Sequence, residues 1–241
     1  MANIRHQQLI KPLIQLIQHI TGEATVNLIS ITQEDQPQQG ESGAEVHLYT
    51  VGYTTTSADV IHTLQIVVKR SPLRERQIVN LLMEQRQAIP PTYVPDTESD
   101  SRQPIFMQYA KSRPMSDMAG SISNPMTQRI AHNLAKIHAA NRTQCPGWLP
   151  KVSDDVMNNL YLNSTQTVWE RCMQDNRFYA EFGAYDKQLK SALAQFLKLN
   201  QQLTEEGDTL TLINSDLHPD HIRLLGDEKP VFIDWEHSYY G

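Results

Sequence analysis

The spacing of hydrophobic positions changes early in the chain. Leu9, Leu13, Ile17 and Ile20 recur at helical intervals within MANIRHQQLIKPLIQLIQHITG and form one face of a helix ended by Gly22. The spacing then falls toward two. In ATVNLISI, Val26 and Leu28 fall on one side of a strand and Ile29 and Ile31 on the other; the alternation is imperfect, and the β-branched content carries the strand assignment. A polar stretch with Pro37, Gly40 and Gly43 separates it from a second strand, EVHLYTVGYT. A third, VIHTLQIVVKR, puts Leu64, Ile66 and Val68 on one face and Thr63, Gln65, Val67 and Lys69 on the other. These three strands read as an antiparallel meander.

SPLRERQIVNLLMEQRQAI opens with Ser71 and Pro72 as an N-cap and first-turn pair, and carries Ile78, Val79, Leu82 and Met83 at helical spacing. Pro90 and Pro91 stop it. After the polar turn DTESDSRQ and the short strand PIFMQYA, helical patterns take over: NPMTQRIAHNLAKIHAAN, a segment from about Asp154 to Cys172, and DKQLKSALAQFLKLNQQLTEE. Strands return near the end as TLTLIN, IRLL and PVFID. A small sheet with one helix, followed by helices and a closing hairpin, predicts an α+β fold of two lobes with a cleft between them.

Composition narrows the setting. The chain has 241 residues, 39% hydrophobic and 20% charged, with a net charge of −6, which argues for a globular protein and against a basic nucleic-acid-binding face. No apolar run reaches membrane-spanning length, and the N-terminal helix is too polar for a targeting segment. Cys145 and Cys172 form no CxxC pair, so a reducing, cytoplasmic setting is expected.

The chemistry concentrates in LINSDLHPDHIRLLGDEKPVFIDWEHSYYG, Leu212 to Gly241, which holds four Asp, three His and two Glu. Residue types alone leave two readings open. One is a hydrolytic metal centre built on Asp216, His218, His221 and Asp234. The other is a phosphoryl-transfer centre, which needs a carboxylate beside the attacking hydroxyl and metal ions on the phosphates. Pro219 inside HPDH argues against the helical geometry of an HExxH site.

NSDLHPDH, Asn214 to His221, and IDWE, Ile233 to Glu236, resemble the HGDLHxxN and IDWE signature of the aminoglycoside phosphotransferase and choline kinase-like family, a branch of the protein-kinase-like fold. The resemblance extends from about Gly40 to Gly241. It implies Asp216 as catalytic base and Asp234 as a metal ligand, with His221 where the family has a metal-binding Asn. His218 would be structural. IVVK, ending at Lys69, is similar to the kinase VAIK pattern, so Lys69 would meet the α- and β-phosphates and Val67 the adenine. Glu75, with Ile78, Val79 and Leu82 at helical intervals behind it, faces the core and would orient Lys69; Glu84 is the fallback partner. Gly40, Ser42 and Gly43 would offer backbone N–H groups to the phosphates, and the backbone of Gln108, Tyr109 and Ala110 would meet the adenine edge. LAKIHAAN, Leu134 to Asn141, is similar to the helix packed beneath the catalytic loop.

The resemblance thus implies an N-lobe over residues 1–108 and a C-lobe over 109–241, the latter expected to be incomplete at its C-terminus. The implied cofactors are ATP and Mg2+, with Mn2+ as the alternative that an imidazole ligand favours. The implied acceptor is a small-molecule alcohol, with neither nucleic acid nor membrane involved. The alternative is a kinase-like protein that binds nucleotide without transferring phosphate.

Overall fold

The computed structural model describes residues 6–34, 38–39, 45–56, 58–110, 123–152, 163–206, 210–226 and 229–241. The turn containing Gly40, Ser42 and Gly43 lies outside them, as does the start of the helix expected from Asp154. By compactness the chain forms two units, residues 1–140 with 214–238 and residues 141–213 with 239–241.

The first unit is built on an antiparallel sheet. Its strands are β1 (Val26–Gln33), β2 (Gln38–Gln39), β3 (Glu45–Thr55), β4 (Ala58–Ser71), β5 (Thr92–Tyr93) and β6 (Gln103–Gln108). Their order is β1-β3-β4-β6-β5, with β2 on β3. Helix α1 (His6–Thr21) lies on one face, where Leu9, Leu13, Leu16 and Ile17 pack with Tyr49, Val51, Ile66, Val68 and Phe106, all buried. Gly22, at φ +74°, closes the helix by donating its N–H to Gln18 O at 2.8 Å.

Two expectations are corrected here. Ile29 and Ile31 do not share a side of β1. The register passes from Leu28 opposite Tyr53 to Ser30 opposite Gly52, so Ile29 is the extra residue of a bulge and is 55% exposed. Past the bulge the alternation resets, and Ile31 joins Leu28 against the α1 core. Ser71 does not cap the next helix: it is still in β4, paired with Gln103, and Pro72 precedes α2 (Leu73–Glu84) with no side-chain cap.

Helix α2 buries Glu75, Arg76, Ile78, Val79 and Leu82. Arg76 is wholly buried, and its guanidinium donates to the carbonyl oxygens of Asp96 at 2.6 Å, of Ser99, and of Ser101 at 2.9 Å. Helix α3 (Asn124–Asn141) follows. The hairpin of β8 (Ile222–Leu225) and β9 (Lys229–Phe232) also belongs to this unit. Phe232 N–H donates to Ala88 O just after α2, and Asn133 Nδ2 of α3 donates to Pro230 O.

The second unit contains helices α4 (Asn163–Cys172), α5 (Asn176–Phe182) and α6 (Asp186–Glu206). Trp169 links them, donating to Asp186 Oδ1 at 2.9 Å and meeting Phe178 edge-on. Strands β7 (Leu212–Asn214) and β10 (Ser238–Tyr240) pair, and Thr211 and Gly241 exchange two backbone bonds beside them. No helix among the described residues is long and apolar enough to cross a membrane.

Candidate active site

The period of two along β4 sends Ile66 and Val68 into the α1 core and turns Gln65, Val67 and Lys69 to the opposite face. The Lys69 side chain is only 8% exposed, and its Nζ donates to Glu75 Oε1 and to Asp234 Oδ1, both at 2.8 Å. Glu75 reaches it from the first turn of α2, on the same buried stripe as Ile78, Val79 and Leu82. Glu84 is exposed and accepts from Asn80 instead, so Glu75 is the partner of Lys69.

Asp234 follows β9 at φ +60°, a region that non-glycine residues seldom occupy and that aspartate tolerates better than most. Its two oxygens face different neighbours. Oδ1 meets Lys69, and Oδ2 lies 3.6 Å from His221 Nε2.

The three charges shift one another. Burial works against the Lys69 ammonium, yet the Glu75 and Asp234 carboxylates outweigh it and hold its pKa above the ordinary lysine value. Burial pushes Glu75 above the usual carboxylate range, with Lys69 opposing. Burial also opposes the Asp234 charge, but Lys69, with His221 and His237 adding to it, keeps that pKa below the ordinary value.

Asn214 joins this centre to the loop bearing Asp216. Its Nδ2 donates to Asp234 O at 2.9 Å, and its Oδ1 accepts from Asp216 N–H at 3.0 Å. Ser215 donates to His237 O through both N–H and Oγ. With its backbone thus fixed, Asp216 leaves its side chain 51% exposed.

His221 Nδ1 bonds the Asp216 carbonyl oxygen at 2.8 Å. A carbonyl only accepts, so Nδ1 carries a proton, and Nε2 is the ring nitrogen that faces Asp234. His218 meets His221 with ring centroids 3.9 Å apart and planes tilted by 43°, and its Nδ1 accepts from Asp220 N–H at the start of the Pro219–His221 3-10 turn.

Two groups of donor atoms each lie within 4.8 Å of one another: Asp216 with His218 and His221, and Glu75 with Asp234 and Glu236. In the second group Glu75 is committed to Lys69. The free oxygen of Asp234 is the hard donor that magnesium requires, whereas His221 Nε2 beside it suits manganese or zinc better.

At the end of β6, Gln108 N–H donates to Pro91 O and Tyr109 N–H donates to Gln65 O, each at 2.9 Å. Ala110, the third residue of the segment, is buried. The sequence reading missed one contact of the centre. Arg102 Nη2 donates to Glu236 Oε1 at 2.7 Å and holds the Glu of IDWE. Arg102 stands in a polar turn, where nothing in the residue pattern singles it out.

Residues 38–241 match the model of the phosphotransferase enzyme family. The chain belongs to that family. Lys69, Glu75, Asp216, His221 and Asp234 all lie within the matched stretch of this phosphotransferase-family chain. Among solved structures it is similar to an aminoglycoside phosphotransferase from Alicyclobacillus acidocaldarius, at 15% identity and a TM-score of 0.52, covering 86% of this chain and 63% of that one. It is also similar to a thermostable mutant of aminoglycoside phosphotransferase APH(4)-Ia in complex with AMP-PNP and hygromycin B, at 14% identity and a TM-score of 0.48, covering 95% of this chain and 72% of that one. Choline kinase LicA from Streptococcus pneumoniae is similar at 17% identity and a TM-score of 0.44, covering 96% of this chain and 70% of that one. No curated protein matches. The fold is α+β, as the element order predicts, and protein-kinase-like, as the motif resemblance implies.

Proposed function

We propose that this chain is an ATP-dependent phosphotransferase acting on the hydroxyl of a small molecule of the aminoglycoside, amino alcohol or sugar type. The observation that carries the reading is the double ion pair of Lys69 with Glu75 and Asp234, in a chain whose family match spans all three residues. Lys69, held by Glu75, neutralises the α- and β-phosphates. Asp216, anchored by its backbone and open at its carboxylate, orients the acceptor hydroxyl and takes its proton. Asp234 Oδ2 and His221 Nε2 would hold a divalent ion, which would supply neutralisation of the phosphate charge. Val67 and Ala110 N–H border the base. The net charge of −6 suits a cationic acceptor, and the thiols of Cys145 and Cys172 are free, in keeping with a cytoplasmic setting.

The test is phosphate transfer from labelled ATP to a panel of amino alcohols, aminoglycosides and sugars, with magnesium and with manganese. Transfer that Asp216→Asn abolishes supports the reading. Nucleotide binding without transfer to any acceptor would replace it with a non-catalytic nucleotide-binding role.

A further inference from the structure

We infer that Glu34 is a specificity-determining residue for the base of the nucleotide, accepting a hydrogen bond from an exocyclic amine. The inference rests on the nucleotide reading of the Lys69 centre. Glu34 follows β1, and its N–H donates to Leu48 O at 2.9 Å. Its Oε1 accepts from Gln65 Nε2 at 3.0 Å and from Thr50 Oγ1 at 3.3 Å. Thr50 and Gln65 are register partners on β3 and β4, and Leu48 is the partner of Val67. Gln65, Val67 and Lys69 alternate along β4, so the carboxylate sits on the sheet face that carries Lys69, not on the face packed by α1.

Position along that face decides the role. Gln65 stands four residues before Lys69, about 13 Å along the strand at ~3.3 Å per residue. That exceeds the screening length of about 8 Å at physiological ionic strength, so Glu34 does little to repel phosphates gathered at Lys69. Val67 lies between the two, and Tyr109 N–H bonds Gln65 O, which brings the Gln108–Ala110 segment to the same end. A nucleotide with its phosphates at Lys69 and its base on Val67 has its ribose between the two and presents the far edge of the base toward Glu34. A carboxylate only accepts, and its partner there must be a donor, which an amino-purine supplies. Gln65 and Thr50 both donate to Oε1, while Oε2 accepts nothing among the described residues. The group is therefore held in orientation with one oxygen to offer.

Isothermal titration of the wild-type and Glu34→Ala chains with ADP, 2′,3′-dideoxy-ADP and IDP tests this. Glu34 is exposed, so the melting temperature is expected to stay unchanged. Glu34→Ala weakens ADP binding about tenfold, the size expected for a charge-assisted hydrogen bond. The loss persists with dideoxy-ADP and disappears with IDP, which lacks the exocyclic amine. Equal ADP affinity in both chains, or an equal loss for all three nucleotides, overturns the inference. A folded wild-type chain that binds no nucleotide overturns the phosphotransferase reading itself, a result separable from the first because it appears before any substitution is made.

Discussion

Lys69→Met removes the ammonium while keeping most of the apolar stem, and it isolates two carboxylates. Glu75 is the decisive one, because its side chain is 2% exposed and it loses the Lys69 ammonium, its charged partner at 2.8 Å. An unpaired buried charge costs about 3–5 kcal/mol. Glu75 can escape by taking a proton, at about 1.4 kcal/mol per pH unit above its ordinary value of 4.5. That route costs about 0.7 kcal/mol near pH 5 and about 5 kcal/mol near pH 8. Asp234 moves in the same direction, because Lys69 is what holds its pKa down, but at 34% exposure solvent screens much of the effect. In the variant both carboxyl pKa values rise, so protons bind more tightly to the folded chain and its stability falls as pH increases. Urea unfolding should therefore find Lys69→Met destabilised by about 3–5 kcal/mol near pH 8 and by roughly 1 kcal/mol near pH 5. The double variant Lys69→Met, Glu75→Leu should recover most of the pH 8 deficit, since no buried charge is left at Glu75. An equal deficit at the two pH values, or no recovery in the double variant, would refute the reasoning.

Three further outcomes are expected. Asp216→Asn should lower turnover by about 10²–10⁴-fold without moving the melting temperature, because the side chain is half exposed and, in the proposed reaction, takes the proton of the acceptor; kinetics and a melt on one preparation check it. His221→Asn should raise magnesium-dependent turnover relative to manganese by exchanging an imidazole nitrogen for an amide oxygen, and Mn2+ binding followed by electron paramagnetic resonance should weaken in parallel. Leu13→Ala should cost about 2–5 kcal/mol in urea unfolding, because Leu13 is wholly buried between α1 and the sheet.

What could be read from the sequence depended on how far apart the partners lie. Lys69 and Glu75 are six positions apart on adjoining elements, and period two on the strand with period 3.6 on the helix was enough to turn them toward each other. Asp234, 165 positions from Lys69, was found through its motif and not through any local pattern. Arg102 and Glu236, 134 positions apart, had neither periodicity nor motif to link them. The errors on β1 and at Ser71 have one cause: alternation and capping rules assume where an element begins and keeps its phase. A bulge at Ile29 and a strand that continues through Ser71 alter both. The particular partners of the Asn214 amide were equally hidden, because they depend on where two backbone segments happen to meet.

Arg76 bears on how such a protein can be controlled. Its buried guanidinium ties α2 to three carbonyl oxygens between Asp96 and Ser101, one residue away from Glu75. Swinging that helix outward to part Glu75 from Lys69 would strip the guanidinium of every one of those acceptors while it is still out of water, a cost of several kcal/mol. Lys69 is thus kept cocked by its scaffold. In the proposed phosphotransferase reaction, any throttle has to act on what arrives at the centre, whether nucleotide, ion or acceptor, and not on the scaffold that receives it.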